Sequence, residues 1–178
     1  MTLYNQEKVL QSMEILVDSR EQPTERARKR YERFGCLYRR VTLSYGDYAY
    51  NAVLPDGSYI YDVESTVAPH CVVERKMDLD ELAACFCKGR KRFTREFERA
   101  ADAGARIYLI VENGSWENLL NGKYRTRMNA AAYKASIIAF MVRYNMNLLF
   151  CKEETSGELI REILYRDLKE RLERGELG

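Results

Sequence analysis

The sequence predicts an α/β domain in which a mixed sheet is covered by helices on both faces. Three observations lead there. Short β-branched or continuously apolar runs, at Met13–Val17, Val72–Val73, Ile107–Val111 and Asn147–Cys151, are spread along the whole chain. Between and around them lie segments whose apolar residues recur at helical spacing. Alternating runs and turn residues crowd into 36–76, which reads as a meander of strands with helices to either side. The 178 residues suit one domain, spanning 1–178.

Met13-Glu14-Ile15-Leu16-Val17 reads as a buried strand ending at Asp18. A helix starts near Pro23, a residue tolerated in a first turn, with Ala27, Tyr31 and Phe34 as its stripe and Gly35 as its cap. Leu37, Arg39, Val41 and Leu43 alternate with Tyr38, Arg40 and Thr42, the period of a second strand. Ser44-Tyr45-Gly46-Asp47-Tyr48 turns into a third strand through Tyr50 and Val53. Pro55-Asp56-Gly57 then predicts a hairpin whose returning strand carries Tyr59, Ile60, Tyr61 and Val63. A loop over 65–69 leads into a strand at 71–76. Asp78, with Glu81 three residues on, predicts a capping box for a helix that turns Leu82, Ala83 and Phe86 inward. Gly89 interrupts it, and a basic helix follows with Phe93, Phe97 and Ala101 on one stripe. Arg106–Glu112 is a strand buried on both faces, by its unbroken apolar run. Asn113-Gly114 turns the chain into a short helix at 116–120, and Asn121–Arg127 is a polar loop. A long helix over 129–145, a last strand at 147–151 and a terminal helix over 156–174 complete the order.

Composition removes several function classes. Hydrophobic residues are 46% and charged residues 31%, which suits a folded, soluble chain. No apolar run approaches a membrane span, and the first residues have no signal-type apolar region, so a cytoplasmic protein without a membrane partner is expected. Five cysteines without a CxxC pair point to reduced thiols and away from zinc. A single histidine, His70, excludes histidine triads and histidine-rich metal sites. The net charge of +2 (29 minus 27) hides two basic clusters. Seven basic residues lie between Arg26 and Arg40 against Glu32 alone; Lys88, Arg90, Lys91, Arg92 and Arg95 stand with no acid among them. Each cluster is either a polyanion-binding face or a solvated helix surface.

Three acids fall where strands end or turn: Asp18, Asp47 and Glu74. Magnesium and manganese prefer oxygen ligands, and one or two carboxylates completed by water and substrate phosphate is a common site for them. Glu74 and Lys76 are two apart on a strand and share a face, while Arg75 points to the other. Lys76 is placed to orient or deprotonate a water, or to neutralise developing charge. Taken alone, Glu74 and Lys76 equally describe a solvated strand end.

The combination is more specific. Gly46-Asp47 followed by Glu74-Arg75-Lys76 and Asp80 has the form GD…ERKxxxD, which resembles the signature of the XPF/Hef family of structure-specific DNA endonucleases. Leu16-Val17-Asp18-Ser19-Arg20-Glu21 is similar to that family's VDxRE strand end. Val41–Tyr48 resembles its strand into GDY, and Gly89-Arg90 with the helix through Phe97 its GR segment. The likeness covers about residues 13–151. It implies a three-layer α/β/α, restriction-endonuclease-like nuclease core. It makes Asp47 and Glu74 metal ligands, with the carbonyl of Arg75 as a third, Lys76 the catalytic lysine, and Asp18 a ligand or a group just behind one. Arg20, Glu21, Arg75 and Asp80 then support the site. By their residues alone, Asp80 equally suits a helix dipole, Arg20–Glu21 a local ion pair and Arg75 a structural role.

The implied activity is a Mg2+- or Mn2+-dependent DNA endonuclease acting on flaps, forks or junctions. Its alternatives are a non-catalytic DNA-binding or scaffold subunit and a sequence-specific restriction-type nuclease. Lys88, Arg90, Lys91, Arg92 and Arg95, with Lys123, Arg125 and Arg127, are the candidate DNA-backbone contacts. Helices 129–145 and 156–174 are candidates for a homodimer face, and no nucleotide cofactor is expected. The stretch between Asp47 and Glu74 is longer than the family pattern and contains the 55–69 insertion. Neither a helix-hairpin-helix module nor a helicase domain is legible, which resembles short stand-alone forms carried by bacteria and prophages.

Overall fold

A computed structural model of the chain describes residues 2–177. Its strands are β1 (Glu14–Asp18), β2 (Tyr38–Val41), β3 (Tyr48–Asn51), β4 (Cys71–Lys76), β5 (Arg106–Glu112) and β6 (Asn147–Cys151). Its helices are α1 (Leu3–Gln11), α2 (Glu25–Glu32), α3 (Leu79–Phe86), α4 (Arg90–Asp102), α5 (Trp116–Leu120), α6 (Ala130–Tyr144) and α7 (Glu153–Glu173). The strands form one mixed sheet in the order β2-β1-β3-β4-β5-β6. β1 pairs in parallel with β2, β4 with β5 and β5 with β6, each through a helical crossover. β3 alone runs antiparallel, to β1 on one side and β4 on the other. That reversal matters for function, because β3 begins at the edge where β1 and β4 end.

Alternation along the strands divides the core into two layers. Ile15, Val17, Tyr48, Tyr50, Val73 and Ile110 face α1, α2 and α7. Val72, Leu109 and Val111 face α3, α4 and α6, where Phe86, Phe93, Phe97 and Phe140 pack edge to face or stacked. The architecture is therefore α/β/α, and double-faced burial explains the apolar runs Ile15–Val17, Cys71–Val73 and Ile107–Val111 within β1, β4 and β5. Over β1 and β3 the second layer has no helix. Leu16 and Ala49 are covered there by Val41, Leu43 and Val67, with Tyr61 and Val63 against them.

Several expectations are corrected. The N-terminal helix α1 was not legible; Thr2 caps it by accepting the Asn5 N–H at 3.3 Å. Residues 36–76 are not a meander, since β1 lies between β2 and β3. The turn at 55–57 forms, with the Leu54 N–H donating to Ser58 O at 2.7 Å, but its returning strand does not. β3 lies inside the sheet, between β1 and β4. The buried Asn51 side chain then satisfies the Tyr61 backbone, accepting its N–H at 3.0 Å and donating to its carbonyl at 3.2 Å. On α4 the buried alanine is Ala100, not Ala101. Asp78 caps α3, accepting the Glu81 N–H at 2.8 Å, while Glu81 reaches one residue past the cap and accepts the Met77 N–H at 2.6 Å. All five cysteines are free thiols, and among the described residues no helix is long and apolar enough to cross a membrane.

Candidate active site

The sheet order brings the ends of β1, β4 and β5 and the start of β3 to one edge, and the ionisable residues there converge. Gly46 makes the turn into β3 at φ +72°, and a Cβ on it would lie 1.9 Å from Val72 Cγ2. Only glycine fits at that approach. Asp47 follows, bound through its backbone on both sides: its N–H donates to Val73 O and its carbonyl accepts the Asp18 N–H, each at 2.9 Å. Its carboxylate accepts the Arg75 backbone N–H at 2.7 Å.

Glu74 and Lys76 project from β4 on the same face and form a direct ion pair. Both are buried, at 4% and 9% exposure, and the ammonium lies 5.6 Å from the Phe93 ring centroid. Burial pushes Asp47 well above the ordinary carboxylate range, and the neighbouring Glu74 charge pushes the same way. Glu74 is also raised by burial; Lys76 opposes this and Glu96 adds to it. Burial alone would lower Lys76, but Glu74 and Asp47 outweigh it and keep it an ammonium ion. Lys76 is thus a donor and a positive charge in this arrangement.

Asp18 is braced from inside the protein. Its buried carboxylate accepts four hydrogen bonds: Arg20 N–H at 2.7 Å, Arg20 Nε at 2.8 Å, Arg20 Nη2 at 2.7 Å and Leu43 N–H at 3.2 Å. These fill its lone pairs from inside the protein. Arg20 therefore pairs with Asp18 and not with Glu21. Glu21 accepts the Tyr48 hydroxyl at 3.2 Å and lies 3.9 Å from Arg75 Nη2. Arg75 serves the site through its backbone, while its guanidinium on the opposite face reaches Glu112 at 3.2 Å. Asp80, at the start of α3, accepts Arg125 N–H at 2.8 Å, Arg125 Nε at 2.9 Å and Thr126 N–H at 2.8 Å. It tethers the basic loop, beyond any interaction with a helix dipole. Arg125 also lies 3.3 Å from Asp78, so it is exposed but engaged.

The two basic clusters differ in kind. Between 26 and 40 most of the charge is used internally: Arg26 pairs with Glu153, Lys29 with Glu25, Arg30 with Glu112 and Arg39 with Glu14. Arg40 donates to the carbonyls of Ser19 and Glu21 at 2.8 Å. By contrast Lys88, Arg90, Lys91, Arg92 and Arg95 are exposed, and four of them line an open groove of about 630 Å³ with Cys87 and Thr94. Lys123 and Arg127 are exposed on the tethered loop.

Three residues at this edge were missed. Glu96 on α4 accepts the Gly46 N–H at 3.1 Å and raises Glu74 electrostatically. An acid beside the Phe93–Phe97 stripe of a basic helix was the available signal. Glu112 closes β5 and is buried; a lone acid ending an apolar strand beside β4 could have indicated it. Arg30 is buried within a helix that reads as a solvated basic face.

Among the described residues no three His, Cys, Asp or Glu side chains converge as a metal-holding group. Asp47 and Glu74 are two all-oxygen donors crowded beside a single ammonium. Such a set suits a hard divalent cation completed by water and phosphate, and does not suit zinc.

A sequence model of the ERCC4 domain matches residues 17–163. Among curated proteins none matches the chain significantly. Two solved structures of XPF from Aeropyrum pernix share the fold. One superposes with a TM-score of 0.58 at 20% identity, covering 86% of this chain and 61% of that one. The other, a complex with DNA, gives 0.60 at 22% identity, covering 89% and 66%. The chain spans less than two thirds of the length of these structures.

Proposed function

From the premise that this chain belongs to the ERCC4 domain family, we propose that it is a metal-dependent DNA endonuclease acting on branched or otherwise structured DNA. The observation that carries the reading is the convergence of Asp47, Glu74 and Lys76 at one sheet edge, two carboxylates and an ammonium in a largely dehydrated setting. Asp47 and Glu74 would hold Mg2+ or Mn2+, and a divalent cation bound there polarises the scissile phosphate. The chain's own residues do the rest. Lys76 supplies positive charge toward the phosphoryl oxygens as charge builds. Arg75 N–H fixes Asp47, Asp18 and Arg20 brace the ends of β1 and β3, and Glu96 secures the Gly46 turn. The basic groove beside α4 is offered to the DNA backbone. The Aeropyrum pernix XPF solved in complex with DNA lends support to a DNA partner.

The test is a panel of single-stranded, duplex, flap, fork and junction DNA with Mg2+, Mn2+ or chelator. Cleavage is expected with either metal and not with chelator, with branched substrates preferred. Glu74→Gln and Asp47→Asn are each expected to lower the cleavage rate about 100-fold or more while leaving DNA binding intact. Binding without cleavage across the panel would favour the scaffold reading, and one cut motif on plain duplex the restriction-type reading.

A further inference from the structure

We propose that Glu112 and Arg30 are positioning residues that hold Asp47 in place through Arg75; this rests on the nuclease reading above. On the face opposite Glu74 and Lys76, five side chains form a closed ring. Arg30 Nε donates to Glu112 Oε1 at 3.1 Å and Arg30 Nη2 to Oε2 at 3.4 Å. Glu112 Oε2 also accepts Arg75 Nη1 at 3.2 Å. Arg75 Nη2 faces Glu21 at 3.9 Å, Glu21 accepts the Tyr48 hydroxyl at 3.2 Å, and that hydroxyl accepts Arg30 Nη1 at 3.2 Å. Glu112 and Arg30 are buried, at 1% and 4% exposure.

An apolar core here would fold at least as well, because desolvating ions offsets much of their attraction. What the ring does that apolar groups do not is grip the Arg75 guanidinium from two sides. Its grip is relayed by a short path. β4 touches β3 in ladder register only at Tyr48–Val73, so beyond that point the Arg75 N–H has no strand partner on the β3 side. It donates instead to Asp47 Oδ2 at 2.7 Å. Twisting the Arg75 peptide therefore moves or releases the Asp47 carboxylate. Arg30 in turn is seated by α7: its Nε also donates to Ser156 Oγ at 3.2 Å.

The test compares the wild type with Glu112→Gln, which keeps shape and removes charge, and Arg30→Lys, which keeps charge and removes the two-pronged contact. Three quantities are read on folded protein: amide hydrogen exchange at Arg75 by NMR, Mn2+ affinity by calorimetry without DNA, and single-turnover cleavage alongside DNA affinity. In Glu112→Gln the Arg75 amide should exchange about tenfold faster while Val73 is unchanged. Mn2+ affinity and cleavage rate should fall about 10–100-fold, the range for groups that orient ligands, with DNA affinity held. Arg30→Lys should move each in the same direction by less, and it decides the matter if Glu112→Gln does not fold. Unchanged Arg75 exchange in a folded variant overturns the proposal, as do unchanged metal affinity and rate in an active protein. A wild type inert toward DNA and Mn2+, whose Arg75 amide still responds to the variants, overturns the nuclease reading instead.

Discussion

Gly46 shows how strictly a single residue shapes this site. A methyl group there meets Val72 Cγ2 at 1.9 Å on a backbone already at positive φ, and Val72 is buried. Gly46→Ala is expected to lower stability by roughly 2–4 kcal/mol, measured by denaturant unfolding. Adding Val72→Ala should recover part of that loss, so that the two changes are not additive; strict additivity would contradict the contact. The same scale separates four acids that look alike in sequence. Asp18 is saturated by Arg20 and Leu43, Glu112 is shared by two arginines, and Asp47 and Glu74 keep acceptor capacity. The resemblance implied that Asp18, Asp47 and Glu74 would gather, but the donors filling Asp18 depend on Leu43 lying beside it.

Between elements, two close contacts decide how the site is held. On α7, Gly157 lies against α2 so closely that a Cβ would stand 2.3 Å from Arg30 O and 2.7 Å from Arg33 Cβ. The obstacle is largely backbone, so Gly157→Ala must push the helices apart. A loss of about 1–3 kcal/mol in unfolding free energy is expected. A variant as stable as the wild type would show that α2 and α7 slide freely. The second contact is the Asp80 tether on the 121–129 loop. Asp80→Ala is expected to raise the rate of tryptic cleavage after Lys123, Arg125 or Arg127 about tenfold without lowering the thermal midpoint. Equal cleavage rates would mean that the loop is held by the packing of Tyr124 on Tyr133 instead.

For the molecule as a whole, charge is distributed so that a near-neutral chain presents one basic side. The α2–β2 cluster is paired or bonded to carbonyls, whereas Lys88–Arg95 remains exposed near the edge that carries Asp47 and Glu74. If this groove carries DNA, replacing Lys88, Arg90, Lys91 and Arg95 with glutamine should lower the slope of log affinity against log salt by about 0.9 for each duplex phosphate no longer neutralised. Fluorescence anisotropy over a salt series measures this. An unchanged slope with the same four replacements would move the DNA path elsewhere, whereas a similar change at Arg28 and Arg33 should leave it nearly flat.

Strand and helix identities were legible wherever burial imposes a local pattern. β1, β4 and β5 read as strands because both their faces are covered, and α3 reads from Asp78 onward because its cap is encoded within four residues. The order of Asp47, Glu74 and Lys76 along the chain determined the chemical composition of the site. Tertiary structure decided the rest: that β1 slips between β2 and β3, that the 55–69 segment adds no strand to the sheet, and that Glu96, Glu112 and Arg30 reach the site. The physical reason is range. Alternation, helical spacing and capping act within a few residues, while strand order and the pairing of distant charges depend on which surfaces remain free once the core has closed.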